Sequence, residues 1–363
     1  MFQIITPADG YHYFFGYYDL TASQGDQHLA HRVPFMDRLP EIDDVAELGI
    51  IRDGTFTPFA ETTAWNFQQG ALLQYHPNRA NTVIYNVNEN GFKTVVHDLI
   101  TGEKIYTDRA CASVSPNGKY GLAVDFGSIF QFRPGYGYAG APVTEDGVWI
   151  VNMDGSGSRQ VVTHDALYDT GFDHDERLLV NHITFNTDSS KFLMLVRNFQ
   201  EPGKRWSTSL VTVHLDGSMK TILKNTTVSH YYWLDPDHIV VYCKIDKECC
   251  DLYKVNMETG EYFCYDMSVY EDIHCIISPD RKYIIGDAYP TKRNGMMRRV
   301  CGMNLERGSN KIIFEVPEVT LDSTDMRCDL HVRFVFDGRY ISFDTTQNGK
   351  REIAVVPIEI LDF

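Results

Sequence analysis

No run of about 18 apolar residues occurs anywhere in the chain, so no membrane-spanning helix is expected. The N-terminal stretch Met1-Phe2-Gln3-Ile4-Ile5-Thr6 has neither the basic nor the apolar region of a signal peptide. Positive charge is scarce. The 33 Lys and Arg stand against 49 Asp and Glu, a formal net charge of −16, which argues against extended contact with nucleic acid or an anionic membrane. Eight cysteines form no CxxC pair and no disulfide framework, so reduced thiols and a cytoplasmic location are expected. P-loop, GxSxG and HExxH are all missing, which removes common sequence routes to nucleoside triphosphate binding, serine hydrolysis and zinc proteolysis. Helix-period segments of useful length are missing too, and αβ folds are therefore not expected.

What the chain does have is a repeat. A turn built from Pro, Asn, Asp, Ser and Gly precedes a short apolar strand seven times. Ser115-Pro116-Asn117-Gly118 and Ser278-Pro279-Asp280 are the clearest copies, and Ala22–Asp26, His76–Ala80, Asn186–Ser190, Asp235–His238 and Phe336–Gly338 are looser ones. A second mark, a tight pair such as Asp53-Gly54, Asp154-Gly155 or Asp216-Gly217, follows in most units and supplies the positive φ that short hairpins need. Each unit reads as a four-stranded propeller blade. The expected fold is all-β, a single seven-bladed β-propeller domain over residues 1–363. The last unit shows only three strands, ending at Glu352–Ile358. Residues Phe2–Thr6 are expected to supply the fourth and close the ring, removing exposed edges.

In such a blade the start of the innermost strand and the end of the second strand reach the same face. Read back from the turns, the innermost strands carry His182, His230, His274 and His331 at one register in four consecutive units. A lone histidine there would be a buried, hydrogen-bonded core residue. Four together suit a divalent metal, Mn, Zn or Ca, with Asp329 or Cys328 beside His331 completing the ligands. A polar, metal-free histidine ring is the competing reading. Second strands end at Asn86, Asp125, Arg197, Asp287 and Asp344. Arg197 interrupts the apolar strand Phe192–Val196, and its planar fork suits a carboxylate. Trp65, Asn66, Gln68 and Gln69 offer amides and an aromatic face for a sugar, although Trp65 could equally pack between blades. In the loop Arg133-Pro134-Gly135-Tyr136-Gly137-Tyr138, Arg133 is a substrate contact and Tyr136 or Tyr138 a stacking group or proton donor.

These stretches, with His12–Asp19, Ala64–Gly70, Asn181–Asn186, Asp272–Cys275 and Arg327–His331, make nearly the whole chain resemble the propeller polysaccharide lyases. Those are the oligogalacturonate lyases and the related ulvan and rhamnose–glucuronate lyases. The resemblance implies β-elimination on uronic-acid glycosides and a divalent cation at the channel mouth. By position it makes His274 and His331 metal ligands and His230 the base. Two departures stand out: Asp329 occupies a position where oligogalacturonate lyases have a further histidine, and Asn66, Gln68 and Asn86 stand where ulvan lyases carry an acid–base histidine pair.

The expectation is thus a lyase for uronic-acid oligosaccharides, without nucleic-acid or membrane partners. In it His230 removes the C5 proton, Arg197 and the metal neutralise the carboxylate, and a tyrosine or water protonates the leaving oxygen. The alternatives are a non-catalytic carbohydrate-binding propeller and a glycoside hydrolase using Asp125, Asp287 and Asp344. The sugar, linkage and oligomeric state are left open by the sequence.

Overall fold

The computed structural model describes residues 2–199, 206–266, 272–290, 295, 297–318 and 324–363. Its strands form seven antiparallel sheets of a seven-bladed β-propeller, in the order of the seven repeats. The final sheet runs Arg333–Val335, Tyr340–Thr345, Glu352–Pro357 and then Gln3–Ile4, with Gln3 opposite Val355 and Ile4 opposite Ala354. The N-terminal strand therefore completes the last blade, as expected.

The turn chemistry accounts for the repeat. In both clear copies the serine hydroxyl accepts the backbone N–H five residues on: Tyr120 N donates to Ser115 Oγ at 3.0 Å and Tyr283 N to Ser278 Oγ at 2.9 Å. The same hydroxyls donate to Asn117 and Asp280. A side chain thus closes the turn before the second strand begins.

The chain divides into two compact units, Met1–Tyr75 with Val269–Phe363, and His76–Ser268. In the second unit the strand Lys191–Asn198 is buried along its whole length. Phe192, Met194 and Val196 pack with Leu122, Val148 and Ile150 of the preceding blade. Leu193 and Leu195 pack with Tyr231, Ile239 and Val241 of the following one. Period-two alternation thus serves two interfaces at once, and each such side chain contributes roughly 1.5–3 kcal/mol of burial. This explains why the second strands read as unbroken apolar runs, and why Arg197 interrupting one is conspicuous.

One α-helix, Phe126–Phe132, was not foreseen. Asp125, read from the sequence as a rim carboxylate, caps it: its side chain accepts from Ser128 N at 2.8 Å and from the N–H groups of Thr144 and Glu145. The Asp125-x-x-Ser128 spacing was the available signal.

Candidate functional site

His182 and His230 lie on the innermost strands of the fourth and fifth blades, Leu178–Phe185 and Val228–Trp233. His274 lies on that of the sixth, Ile273–Ile277, and His331 two residues before that of the seventh. They form two pairs, one in each unit.

In the unit containing both chain ends, the His274 and His331 rings stand 4.4 Å apart and nearly perpendicular. His331 Nδ1–H donates to the Gly16 carbonyl at 2.9 Å, and His274 Nδ1–H to Asp287 Oδ2 at 3.3 Å. Both imidazoles therefore turn Nε2 inward, where Asp329 Oδ2 lies 3.9 Å and 4.0 Å away. This is the arrangement of metal-binding histidines whose other ring nitrogen is tied to an outer acceptor. Gly16 makes it possible: its φ is 106°, and a Cβ there would press on the Gln69 backbone at 2.9 Å.

The carboxylates here have opposite fates. Burial pushes the Asp329 carboxyl up, but Arg327 and Arg298, with His274 and His331, outweigh it and hold it well below the usual range. Arg298 Nη1 reaches Asp329 Oδ1 at 2.7 Å, and Arg327 Nη2 lies 2.8 Å from Oδ2. For Asp287 burial dominates, with Asp329 adding to it, and its carboxyl is pushed up. Burial, then the neighbouring His274, pushes His331 well below its ordinary value, so it is neutral near pH 7, as a ligand must be.

The other unit holds His182 and His230, with rings 5.2 Å apart. Strand pairing slips between Asn181 and Ile183 and between Val228 and Tyr231, so each histidine sits on a β-bulge, the device that re-aims side chains beside active sites. His182 has φ 49°, and His331 in the first pair has φ 44°. A left-handed backbone at a non-glycine residue costs about 1–3 kcal/mol and collects at functional sites. His230 Nδ1 is 3.0 Å from Ser229 Oγ. The Tyr136 ring meets His182 edge-on at 5.8 Å. Arg197, buried, reaches Ser229 O at 3.5 Å and lies 5.8 Å from the Trp206 ring, which Arg133 also approaches at 5.4 Å.

Several sequence expectations change. Trp65 is buried with its Nε1–H on the Asp44 carbonyl, so it packs rather than offering a face to a sugar. Asn66 Oδ1 accepts the Gln68 and Gln69 N–H groups, and Gln68 Nε2 donates to the Arg327 carbonyl at 2.8 Å. The segment thus braces the loop that carries Asp329, with only Gln69 left partly exposed. Asn86 bonds the Cys111 carbonyl and the Tyr138 hydroxyl, both at 2.8 Å, and Tyr138 is buried and stacked on Phe126, so Tyr136 alone of the two tyrosines faces a histidine. Cys328 is buried, its thiol pushed up to about 12 by burial, and its sulfur points to the Asp329 carbonyl; it stands outside the converging donors. Asp344 accepts from Phe15 N, Gly16 N and Arg333, and Asp125 caps a helix, so neither is free to act as a hydrolytic carboxylate.

Sequence reading missed Arg298, Arg327, Tyr289 and Trp206. Arg327 lay inside a quoted motif but gave no periodic cue. Two consecutive arginines, Arg298 and Arg299, in a β-prone run were a usable signal, since one of them must face inward on a two-sided strand.

No family model and no curated protein matches the sequence. Solved structures do. An oligogalacturonate lyase in complex with manganese superposes with TM-score 0.69 at 12% identity, over 99% of this chain and 97% of that one. An oligogalacturonate lyase from Vibrio parahaemolyticus gives 0.66 at 13% identity, with the same coverage. A puromycin-hydrolyzing peptidase from Mycobacterium tuberculosis gives 0.54 at 11% identity, over 98% of this chain but 55% of that one. At such identities the likeness is one of fold. Among the described residues no helix is long and apolar enough to cross a membrane.

Proposed function

We propose that the protein is a lyase that cleaves uronic-acid-containing oligosaccharides by β-elimination. The observation that carries this reading is the His274–Asp329–His331 donor set, whose atoms lie within 4.8 Å of one another, on a fold shared with a manganese-bound oligogalacturonate lyase. The residues fit a divalent cation: two imidazoles present Nε2, and the buried Asp329 Oδ2 is engaged in no well-formed hydrogen bond. Two nitrogens and one carboxylate suit Mn or Zn, whereas Ca takes oxygen ligands throughout. Bound there, the cation would supply Lewis acidity toward a uronate carboxylate, making the neighbouring C–H acidic.

His230 is the general base of this reading, taking the C5 proton, because imidazole is the side chain most often used for that transfer and Ser229 Oγ steadies this ring at Nδ1. Arg197 binds the uronate carboxylate through its fork, while Arg133 and Tyr136 border the same pair of histidines. Tyr136 is assigned the proton delivered to the departing O4. We assign the protein one domain over residues 1–363 and a cytoplasmic location. A carbohydrate-binding propeller without turnover is the second reading. Incubation with oligogalacturonides, followed by ultraviolet absorbance of the unsaturated product, separates the two. His230→Ala should lower that rate about 10²- to 10⁴-fold with little loss of affinity. Wild-type protein that binds the sugars and never forms the chromophore contradicts the lyase reading.

A further inference from the structure

The second unit contains a cavity of about 630 Å³ that no role above uses, lined among others by Asn88, Phe92, Asp108, Arg109, Ala141 and Trp149. It opens where the second strands of blades two and three end and their third strands begin, the end of the sheets at which Arg197 also stands. One loop separates it from the histidine pair. Tyr136 faces His182 at 5.8 Å, and a few residues on Gly140, Ala141 and Pro142 form the cavity wall. That loop is pressed onto the helix Phe126–Phe132, since a Cβ on Gly137 would collide with Phe130 and one on Gly127 with Pro142. The wall is therefore fixed.

The lining sets three aromatic side chains, Phe92, Phe126 and Trp149, among polar and small ones, and its polar atoms are only partly used. Arg109 lies 3.6 Å above the Trp149 ring and gives Nη1 to Asp146 at 3.1 Å; among the described residues its guanidinium has no other hydrogen-bond partner. Asp146 also takes the Trp149 Nε1–H at 2.9 Å, which locks the indole in place. Asp108 uses one oxygen on Ser158, and the Asn88 side chain has no partner among the described residues. Trp149 and Phe92 are both partly exposed. A rigid aromatic wall beside unspent guanidinium, amide and carboxylate groups matches a pyranose ring, with its apolar face and its rim of hydroxyls. Unspent Arg109 donors add preference for a ring bearing a carboxylate.

We propose that this cavity is a remote subsite holding a uronosyl residue of the oligosaccharide, away from the bond that is cleaved. The proposal rests on the uronate reading above and extends it: the substrate is a chain of several residues rather than a disaccharide.

The test is calorimetric titration with oligogalacturonides from dimer to hexamer, on wild type, Trp149→Ala, Arg109→Gln and Ala141→Trp. The last variant fills the cavity from its partly exposed rim without removing any packing. Wild type should gain about tenfold in affinity beyond some length, and each variant should lose that gain while binding the dimer normally. Variants that keep the full gain overturn the subsite. So does Ala141→Trp weakening dimer and hexamer equally. Wild type that binds no oligogalacturonide of any length overturns the uronate reading itself, and the subsite with it, whereas the two preceding results leave that reading standing.

Discussion

The two histidine pairs look alike in sequence and differ in what surrounds them. His274 and His331 have their outer nitrogens tied to Asp287 and Gly16 and a buried carboxylate between their inner ones. His182 and His230 have Tyr136, Ser229 and the Arg197–Trp206–Arg133 group as neighbours, and they belong to no cluster of three metal-ligating groups among the described residues. In the proposed reading, one register of one repeat thus yields a ligand pair in one unit and an acid–base pair in the other. Identical placement on the blade sets where a histidine points, while the neighbours decide whether it holds a cation or a proton.

The largest contrast should be in stability. Asp329 is the countercharge of two arginines, one of them fully buried and paired besides with Glu318, so Asp329→Asn removes the carboxylate they share and should cost about 3–5 kcal/mol in urea denaturation. His182→Ala removes a ring from a left-handed position and should cost about 1 kcal/mol. Equal losses would mean that the arginine network is not what holds the first pair in place.

A second contrast concerns competition. Arg327 Nη2 lies 2.8 Å from the very oxygen a cation would take, and it donates to the Tyr289 hydroxyl, itself 3.4 Å from His274 Nε2. Arg327→Gln should therefore raise Mn affinity about tenfold, measured by titration calorimetry without substrate. An unchanged or weaker affinity would show that the guanidinium and the cation do not contend for Asp329.

The smallest effect is a pH signature confined to the first unit. Burial raises the Asp19 carboxyl from its ordinary 3.8 to about 7. A proton held more tightly in the folded than the unfolded state stabilises the protein below about pH 4, and that contribution fades as pH rises through 7. Asp19→Asn should flatten stability between those values and gain about 1 kcal/mol above them, well short of the full shift because the side chain is partly open to water. A wild-type profile already flat across that window would show that Asp19 is ordinary.

The blades were readable because their turns are closed by side chains: Ser115 and Ser278 announce themselves in sequence. The four histidines were readable because repeats put equivalent positions in register. Exclusions were harder to see. Asn86 and Trp65 carry the right chemistry for sugar binding, yet each spends it on a neighbouring backbone group, a fact set by tertiary contacts rather than by residue type. The arginines around Asp329 were hidden for the converse reason, since charged residues on strands ordinarily face water.

The most direct test of the division between the pairs is metal content by mass spectrometry after equilibration with Mn, for wild type, His274→Ala and His182→Ala. Wild type and His182→Ala should each retain one equivalent, and His274→Ala should retain none. Stoichiometric metal in His274→Ala, or its loss in His182→Ala alone, would contradict the assignment of the cation to His274, Asp329 and His331.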